Sequence, residues 1–393
     1  MTPMTPGATT SARSTAGVTD AGGRPLLDRY DGVVCDLDGV VYRGDGAVPG
    51  APEALSDVVA SGRRIVYATN NASRMPSDIA DQLRGLGAPC EVDDVVTSAQ
   101  AGAAHLAERL SPGVRVLAVG GPGTTAAITE AGLTAVAPSD AADHDVTVDA
   151  VLQGLGRQLT VTDFEVATRH VARGVPWVAS NGDATLPLEW GDAPGNGAYV
   201  ALVGRAARRE PDAVVGKPHP PLYELAADRL GTDRSRTLAV GDRLDTDIDG
   251  AGRTGIDSAW VLTGVDAPSD LVRAVSTTPP TYVIGHLGEL HQRYVDPVRV
   301  DGSDGTWRCG PVTARVQDDA LVLEGEDGHP SEAIRAGLAL LLERRDAATQ
   351  AHASPEGEAL ERLVTLASVL DALVPAATDP SDRATGDTSD RRT

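Results

Sequence analysis

Short runs of β-branched and other apolar residues alternate along this chain with longer stretches whose apolar positions recur at helical spacing. That alternation predicts an α/β fold built on a largely parallel sheet. Val33-Val34-Cys35 is a continuous apolar run ending in acidic residues, as expected of a strand buried on both faces. Arg64-Ile65-Val66-Tyr67-Ala68 is a second run and closes on Thr69-Asn70-Asn71. A third ends at Val214-Val215, before Gly216-Lys217-Pro218. Thr237-Leu238-Ala239-Val240 leads into Gly241-Asp242, and Ala259 to Leu262 makes a fifth. Each of the first four ends in polar, charged or glycine residues. Ligands bind at the carboxyl edge of open parallel sheets, so these ends are the first candidates for chemistry.

Between the second and third runs lie about 140 residues, far more than an ordinary connection. They carry their own α/β pattern: Val114 to Val119, Ala150 to Leu152, a helical Asp163 to Arg173, and Trp177-Val178-Ala179. Residues 95–205 are therefore read as an inserted cap domain lying over the strand ends, with 26–94 and 206–292 as the core. After Tyr294, short alternating segments (Val298 to Val300, Val312 to Val316, Leu321 to Leu323) precede a helix from Glu332 to Arg344. Residues 293–350 read as a small C-terminal α+β domain, and residues 351–377 as a final helix from about Glu356 to Leu373. Residues 1–25 and 378–393 have a disordered composition. The fold class expected is thus α/β, with a Rossmann-like parallel sheet core, an inserted α/β cap and a small C-terminal domain.

Length and charge narrow the partners. The 393 residues suffice for two or three domains. Against 56 acidic side chains stand 34 basic ones, a formal charge of −22, which argues against nucleic acid or an anionic membrane. Three scattered cysteines, Cys35, Cys90 and Cys309, form no CxxC pair and fit a reducing compartment. No secretory pattern or membrane-length apolar run is present, so a cytoplasmic protein is expected, with a small-molecule partner and no membrane insertion. A homo-oligomer is left open. One count changes the picture: of the 34 basic residues 33 are arginine, and Lys217 is the single lysine. Arginine is a broad planar fork and lysine a compact charge on a thin stem. A chain that otherwise writes its cations as arginine would keep a lysine where a guanidinium does not fit.

Asp36-Leu37-Asp38-Gly39 places two carboxylates on one face at the end of a strand. Two acids so close raise each other's pKa, which suits a nucleophile, Asp36, beside a general acid/base, Asp38. A carboxylate nucleophile favours a phosphorus centre. Gly241-Asp242 through Asp247 brings further carboxylates at another strand end, and such oxygens can form the site Mg²⁺ prefers. The spacing Asp245-x-Asp247-x-Asp249-Gly250 copies half of a calcium-binding loop, but its twelfth position is Ile256 where a bidentate Glu is needed. Thr69, Asn70 and Asn71 offer hydroxyl and amide donors to phosphate oxygens, and Lys217 offers charge neutralisation. Gly120-Gly121-Pro122-Gly123 lacks both nucleotide-loop patterns and reads as a strand-to-helix turn.

In chain order, D-x-D-G-V, T-N-N, G-K-P and G-D-x-x-x-T-D resemble the four motifs of the haloacid dehalogenase superfamily of phosphatases. The insertion before Gly216-Lys217-Pro218 resembles its nitrophenyl-phosphatase-like subfamily with large α/β caps. The resemblance implies that Asp36 is nucleophile and Mg²⁺ ligand. It implies that Asp38 is the acid/base and a metal ligand through its carbonyl. Asp242 would be a metal ligand, Asp247 would orient metal waters, and Thr69, Asn70 and Lys217 would hold phosphate. Asn181-Gly182-Asp183 and Pro194-Gly195-Asn196-Gly197 resemble cap loops of the subfamily. The implied substrate is a small phosphate monoester, glycerol 3-phosphate in glycerophospholipid recycling ahead of 2-phosphoglycolate or a nucleotide. The C-terminal domain resembles a truncated acetyltransferase fold without a glycine-rich pyrophosphate loop, so packing or subunit contact is its expected role. A retired binding or regulatory protein is the rival from another class, and intact Asp36, Asp38, Asp242 and Lys217 speak against it. Phosphoryl transfer to an acceptor other than water stays open.

Overall fold

The computed structural model describes residues 23–374, apart from 144, 189, 276–277, 303–304 and 352–356. The composition-based expectations for residues 1–22 and 378–393 lie outside the described residues. A six-stranded parallel sheet has the order Tyr282–Ile284, Asp257–Val261, Thr237–Gly241, Gly32–Cys35, Arg64–Thr69, Val95–Thr97. Gly32–Cys35 is buried at every position, because helices cover both faces of the sheet. Successive side chains point to opposite faces: Val33 and Cys35 join one apolar cluster, Val34 the other. In register, Cys35 lies between Val240 and Tyr67. Asp36, Asp242 and Asn70 therefore leave neighbouring strands at one edge.

The cap is a second parallel sheet in the order Ala213–Val214, Trp177–Ala179, Ala150–Gln153, Arg115–Val119, Thr134–Val136. Two pairings differ from expectation. The run ending at Val214-Val215, expected in the same sheet as Asp36, pairs through Ala213 and Val214 with the cap strand Trp177–Ala179. Val95–Thr97, within the stretch read as cap, is instead the edge strand of the core sheet. A short β-branched run reads alike in either sheet, and its partner is decided by tertiary packing. Core and cap share an apolar cluster: Val34, Val66 and Ala239 lie in it with Leu152, Val178 and Val215. Gly102, in the helix Ser98–Ala107, allows the approach, since a Cβ there would come 2.5 Å from Leu152.

The C-terminal sheet is antiparallel: Val298–Arg299, Trp307–Cys309, Val312–Gln317, Ala320–Glu324. Helices Pro330–Ala351 and Glu358–Asp371 follow it. Cys309, Ala314, Ile334 and Leu370 share a cluster with Leu244, Trp260 and Leu271 of the core. No helix among the described residues is long and apolar enough to cross a membrane.

Candidate active site

The strand Gly32–Cys35 delivers Asp36, whose backbone N–H donates to Val240 O at 2.9 Å and fixes its exit angle. Next to it, Thr237–Gly241 delivers Asp242, whose carbonyl accepts from the Trp260 indole N–H at 2.9 Å. A helical turn, Leu244–Ile248, returns Asp247 to the same point, and its Oδ2 accepts from Arg243 N at 3.2 Å. Asp36, Asp242 and Asp247 each bring one carboxylate oxygen within 4.8 Å of the other two. Glycine makes the approach possible. A Cβ on Gly241 would run into the Asp247 side chain, and one on Gly39 would lie 2.8 Å from the Asp242 carboxyl carbon. Gly39 also has φ +79°, a conformation that L side chains rarely adopt.

Lys217 is the cation of this cluster. Its side chain is 4% exposed, and Nζ donates to Asp36 Oδ1, to Asp247 Oδ1 at 2.7 Å and to Ala68 O at 3.1 Å. An ammonium has three donors in tetrahedral directions, and here all three are used on a single atom. A planar guanidinium spreads its donors over a fork and cannot reproduce that arrangement. Burial acts against the Lys217 charge, but Asp247 and Asp36 outweigh it and hold the pKa well above the ordinary lysine range.

The carboxylates are strained in the opposite sense. Burial pushes the Asp36 pKa well up, Lys217 opposes, and the charges of Asp247 and Asp242 add to the rise. Asp242 is pushed up to about 7 by burial and then by Asp247. Its Oδ2 accepts from Val265 N at 2.8 Å, while the buried Oδ1 has no hydrogen-bond partner. Leaving a buried acceptor unpaired costs about 1–3 kcal/mol. Three carboxylates around one ammonium, with an orphaned oxygen among them, fit a hard divalent cation that takes oxygen ligands. The Asp38 carboxylate stands outside that group, on an exposed residue. Partial desolvation by the walls raises its pKa, against the charges of Lys217 and Arg74.

Asn70 ties the cluster to the cap. Its side-chain oxygen accepts from Lys217 N at 2.7 Å, and its amide donates to Lys217 O at 3.1 Å and to Asp183 Oδ1 at 3.1 Å. The Asn70 carbonyl accepts from Asn181 Nδ2 and Ser98 Oγ, both at 2.7 Å. Burial raises the Asp183 pKa, with the Asn70 hydrogen bond opposing. Asn71 has a different place: its side-chain oxygen accepts from Ser73 N at 2.9 Å and Arg74 N at 3.3 Å, capping its own turn. Thr69, 5% exposed, uses its hydroxyl oxygen to accept from Asn71 N at 3.1 Å. Tyr223, which donates to Asp247 O at 3.0 Å, and Trp260 carry no local motif and were not visible in the chain's spacing.

Residues 33–134 match a family model described as haloacid dehalogenase-like hydrolase, and residues 214–290 a second, HAD-hydrolase-like model. D-glycerol 3-phosphate phosphatase of Mycobacterium tuberculosis is 40% identical over 269 residues, covering 68% of this chain and 73% of that protein. The chain belongs to the haloacid dehalogenase superfamily, among its phosphatases. Acid sugar phosphatase of Staphylococcus aureus, another member, is 35% identical over 67% of this chain and 97% of its own length. Among solved structures, a glycerol phosphate phosphatase from M. tuberculosis in complex with magnesium superposes with a TM-score of 0.70 at 36% identity. It covers 84% of this chain and 98% of that one. The 4-nitrophenylphosphatase of Thermotoga maritima gives 0.61 at 31% identity, covering 68% of this chain and 98% of its own.

Proposed function

We propose that this chain is a Mg²⁺-dependent phosphatase that hydrolyses a small phosphate monoester, glycerol 3-phosphate first, through an aspartyl-phosphate on Asp36. The observation that carries the reading is the Asp36–Lys217–Asp247 ion cluster beside the orphaned Asp242 oxygen. Asp36, Asp242, the Asp38 carbonyl and Asp247 would hold the cation, which neutralises phosphoryl charge when bound. Lys217 opposes the burial that favours the protonated form of Asp36 and sets the orientation of its carboxylate. Asp36 attacks phosphorus as the bond from phosphorus to the ester oxygen breaks. Asp38, whose raised pKa favours the protonated form, gives its proton to the departing alkoxide. As a carboxylate it then takes a proton from water, which attacks the same phosphorus and releases phosphate and the Asp36 carboxylate. Thr69, Asn70 and Lys217 would hold the phosphoryl oxygens, Lys217 Nζ by exchanging Ala68 O for phosphate and the Asn70 amide by exchanging Lys217 O or Asp183, with Asn71 shaping the turn that presents them.

The preference for glycerol 3-phosphate rests on extent as well as identity. The M. tuberculosis structure matches 84% of this chain, whereas the nitrophenylphosphatase matches 68%. The longer match takes in sequence beyond the core and cap. A sugar phosphate is the second reading, favoured by the 35% identity to acid sugar phosphatase. A panel of glycerol 3-phosphate, 2-phosphoglycolate, sugar phosphates and nucleotides compared by kcat/KM tests the choice. Glycerol 3-phosphate ranking first supports the reading; a sugar phosphate or nucleotide at least about tenfold ahead, a 1.4 kcal/mol preference, overturns it.

A further inference from the structure

A second cluster of metal-ligating side chains lies away from the acidic site, where the core meets the C-terminal domain. His286 and Glu289 follow the last core strand, Tyr282–Ile284, and His329 immediately precedes the helix Pro330–Ala351. One ligand atom from each lies within 4.8 Å of the other two. The rings of His286 and His329 are 6.3 Å apart and tilted by 60°. His286 is half-buried, Glu289 buried, and the His329 side chain 48% exposed, so a route from solvent reaches the group.

Glu289 is oriented before any ligand arrives. Its Oε1 accepts from Gly285 N at 2.9 Å and from the Ser331 hydroxyl, and its Oε2 from the Arg335 guanidinium. Arg335 is itself anchored, with Nε donating to Val283 O at 2.8 Å and its guanidinium 4.3 Å over the Tyr294 ring. Partners of this kind fix ligating carboxylates in metal sites, and their loss typically weakens metal about 10–100-fold. The donor set differs from that of the acidic site. Two imidazole nitrogens with one carboxylate suit zinc and its late first-row neighbours, and Mg²⁺ ranks them poorly. Arg335 already balances the Glu289 charge, so selection here rests on nitrogen ligation.

We propose that His286, Glu289 and His329 form a binding site for a late first-row divalent cation, zinc foremost, that clips the start of the helix Pro330–Ala351 to the core. Bound cation stabilises the folded chain and holds the C-terminal domain in place; it takes no part in the chemistry at Asp36.

The test uses the full chain, stripped of metal and kept in excess Mg²⁺, with Co²⁺ as a visible probe. The wild type should bind one Co²⁺ per chain with an intense visible band, which Zn²⁺ abolishes by displacement. His329→Ala and His286→Ala should each weaken that binding at least about tenfold. Asp242→Asn, in the acidic site, and His105→Ala, in the helix Ser98–Ala107, should leave the band. Zn²⁺ should raise the Tm of the wild type and leave that of His329→Ala unchanged. His329 is exposed enough for its alanine variant to fold, so it decides the matter should His286→Ala not. No band in the wild type, a band kept at full affinity in His329→Ala, or a band lost in Asp242→Asn would overturn the proposal.

Discussion

The core and cap sheets are built alike, parallel strands flanked by helices, yet their strand ends carry different chemistry. The core ends present Asp36, Thr69 and Asp242; the cap ends present Gly120-Gly121, Gly154, Asn181 and Gly216-Lys217. Charge that must be buried near a reacting phosphate sits on the rigid central strands, whose every position is covered. The cap contributes glycine and amide groups that let backbone approach backbone. At Gly123, for example, N–H donates to Ser73 O at 2.9 Å, and a Cβ would come 2.9 Å from Ala72 O. Lys217 belongs to both, since its strand pairs in the cap and its ammonium rests among core carboxylates. The cation that completes the core site is thus carried by the unit that covers it.

Breaking the core half should have the largest effect. Asp36→Asn should reduce kcat at least about 10⁴-fold with an unchanged circular dichroism spectrum. Lys217→Arg conserves charge but loses the three-way donation, and kcat should fall about 10²–10³-fold, the scale of losing one preorganised electrostatic partner. Near-native turnover in Lys217→Arg would show that the lone lysine has no geometric role.

Much of that half is legible in the chain because it is local. Asp36-x-Asp38-Gly39, Thr69-Asn70 and Gly241-Asp242 each stand at the end of an apolar run, so strand and chemistry are read together. The sheet to which Val214 belongs is not legible, because any short β-branched run satisfies either sheet. Nor is the bridge from Asn70 to Asp183, which links residues more than a hundred positions apart and depends on where the cap docks. Asn71 shows the same limit at short range. Its neighbours suggest a phosphate donor, while its side-chain oxygen is engaged with Ser73 and Arg74.

The Asn70–Asp183 bridge is the place to sharpen the comparison. Asp183→Ala frees the Asn70 amide and loosens the cap without touching a core carboxylate. We expect kcat/KM to fall about tenfold, the worth of one hydrogen bond to a charged group. The loss should appear mainly in KM and differ among substrates. Equal loss for every substrate would place Asp183 in the core chemistry.

The smallest effect concerns charge balance. Between the ordinary carboxylate pKa near 4 and about 7, folding of the metal-free protein takes up a proton at Asp242. Stability from this group is therefore full at low pH and lost as pH rises through that window. In EDTA, Asp242→Asn should overtake the wild type in Tm by about 1–2 °C at pH 8, a shift worth about 1 kcal/mol in a chain of this length, and the gap should close near pH 5. Mg²⁺ should restore the wild type alone, with affinity falling as pH drops below about 7. A wild type that outlasts Asp242→Asn in EDTA at pH 8 would remove the case for an unbalanced buried carboxylate.

The central claim is that Asp36 forms a covalent bond to phosphorus, and it can be read on the protein itself. The chain is mixed with excess substrate and Mg²⁺, quenched in acid within a turnover, and analysed by peptide mass spectrometry with borohydride trapping. The reduced adduct, homoserine in place of Asp36 with its phosphate released, absent from Asp36→Asn, is the result expected. Turnover with no adduct, or with the adduct on another residue, would contradict the account.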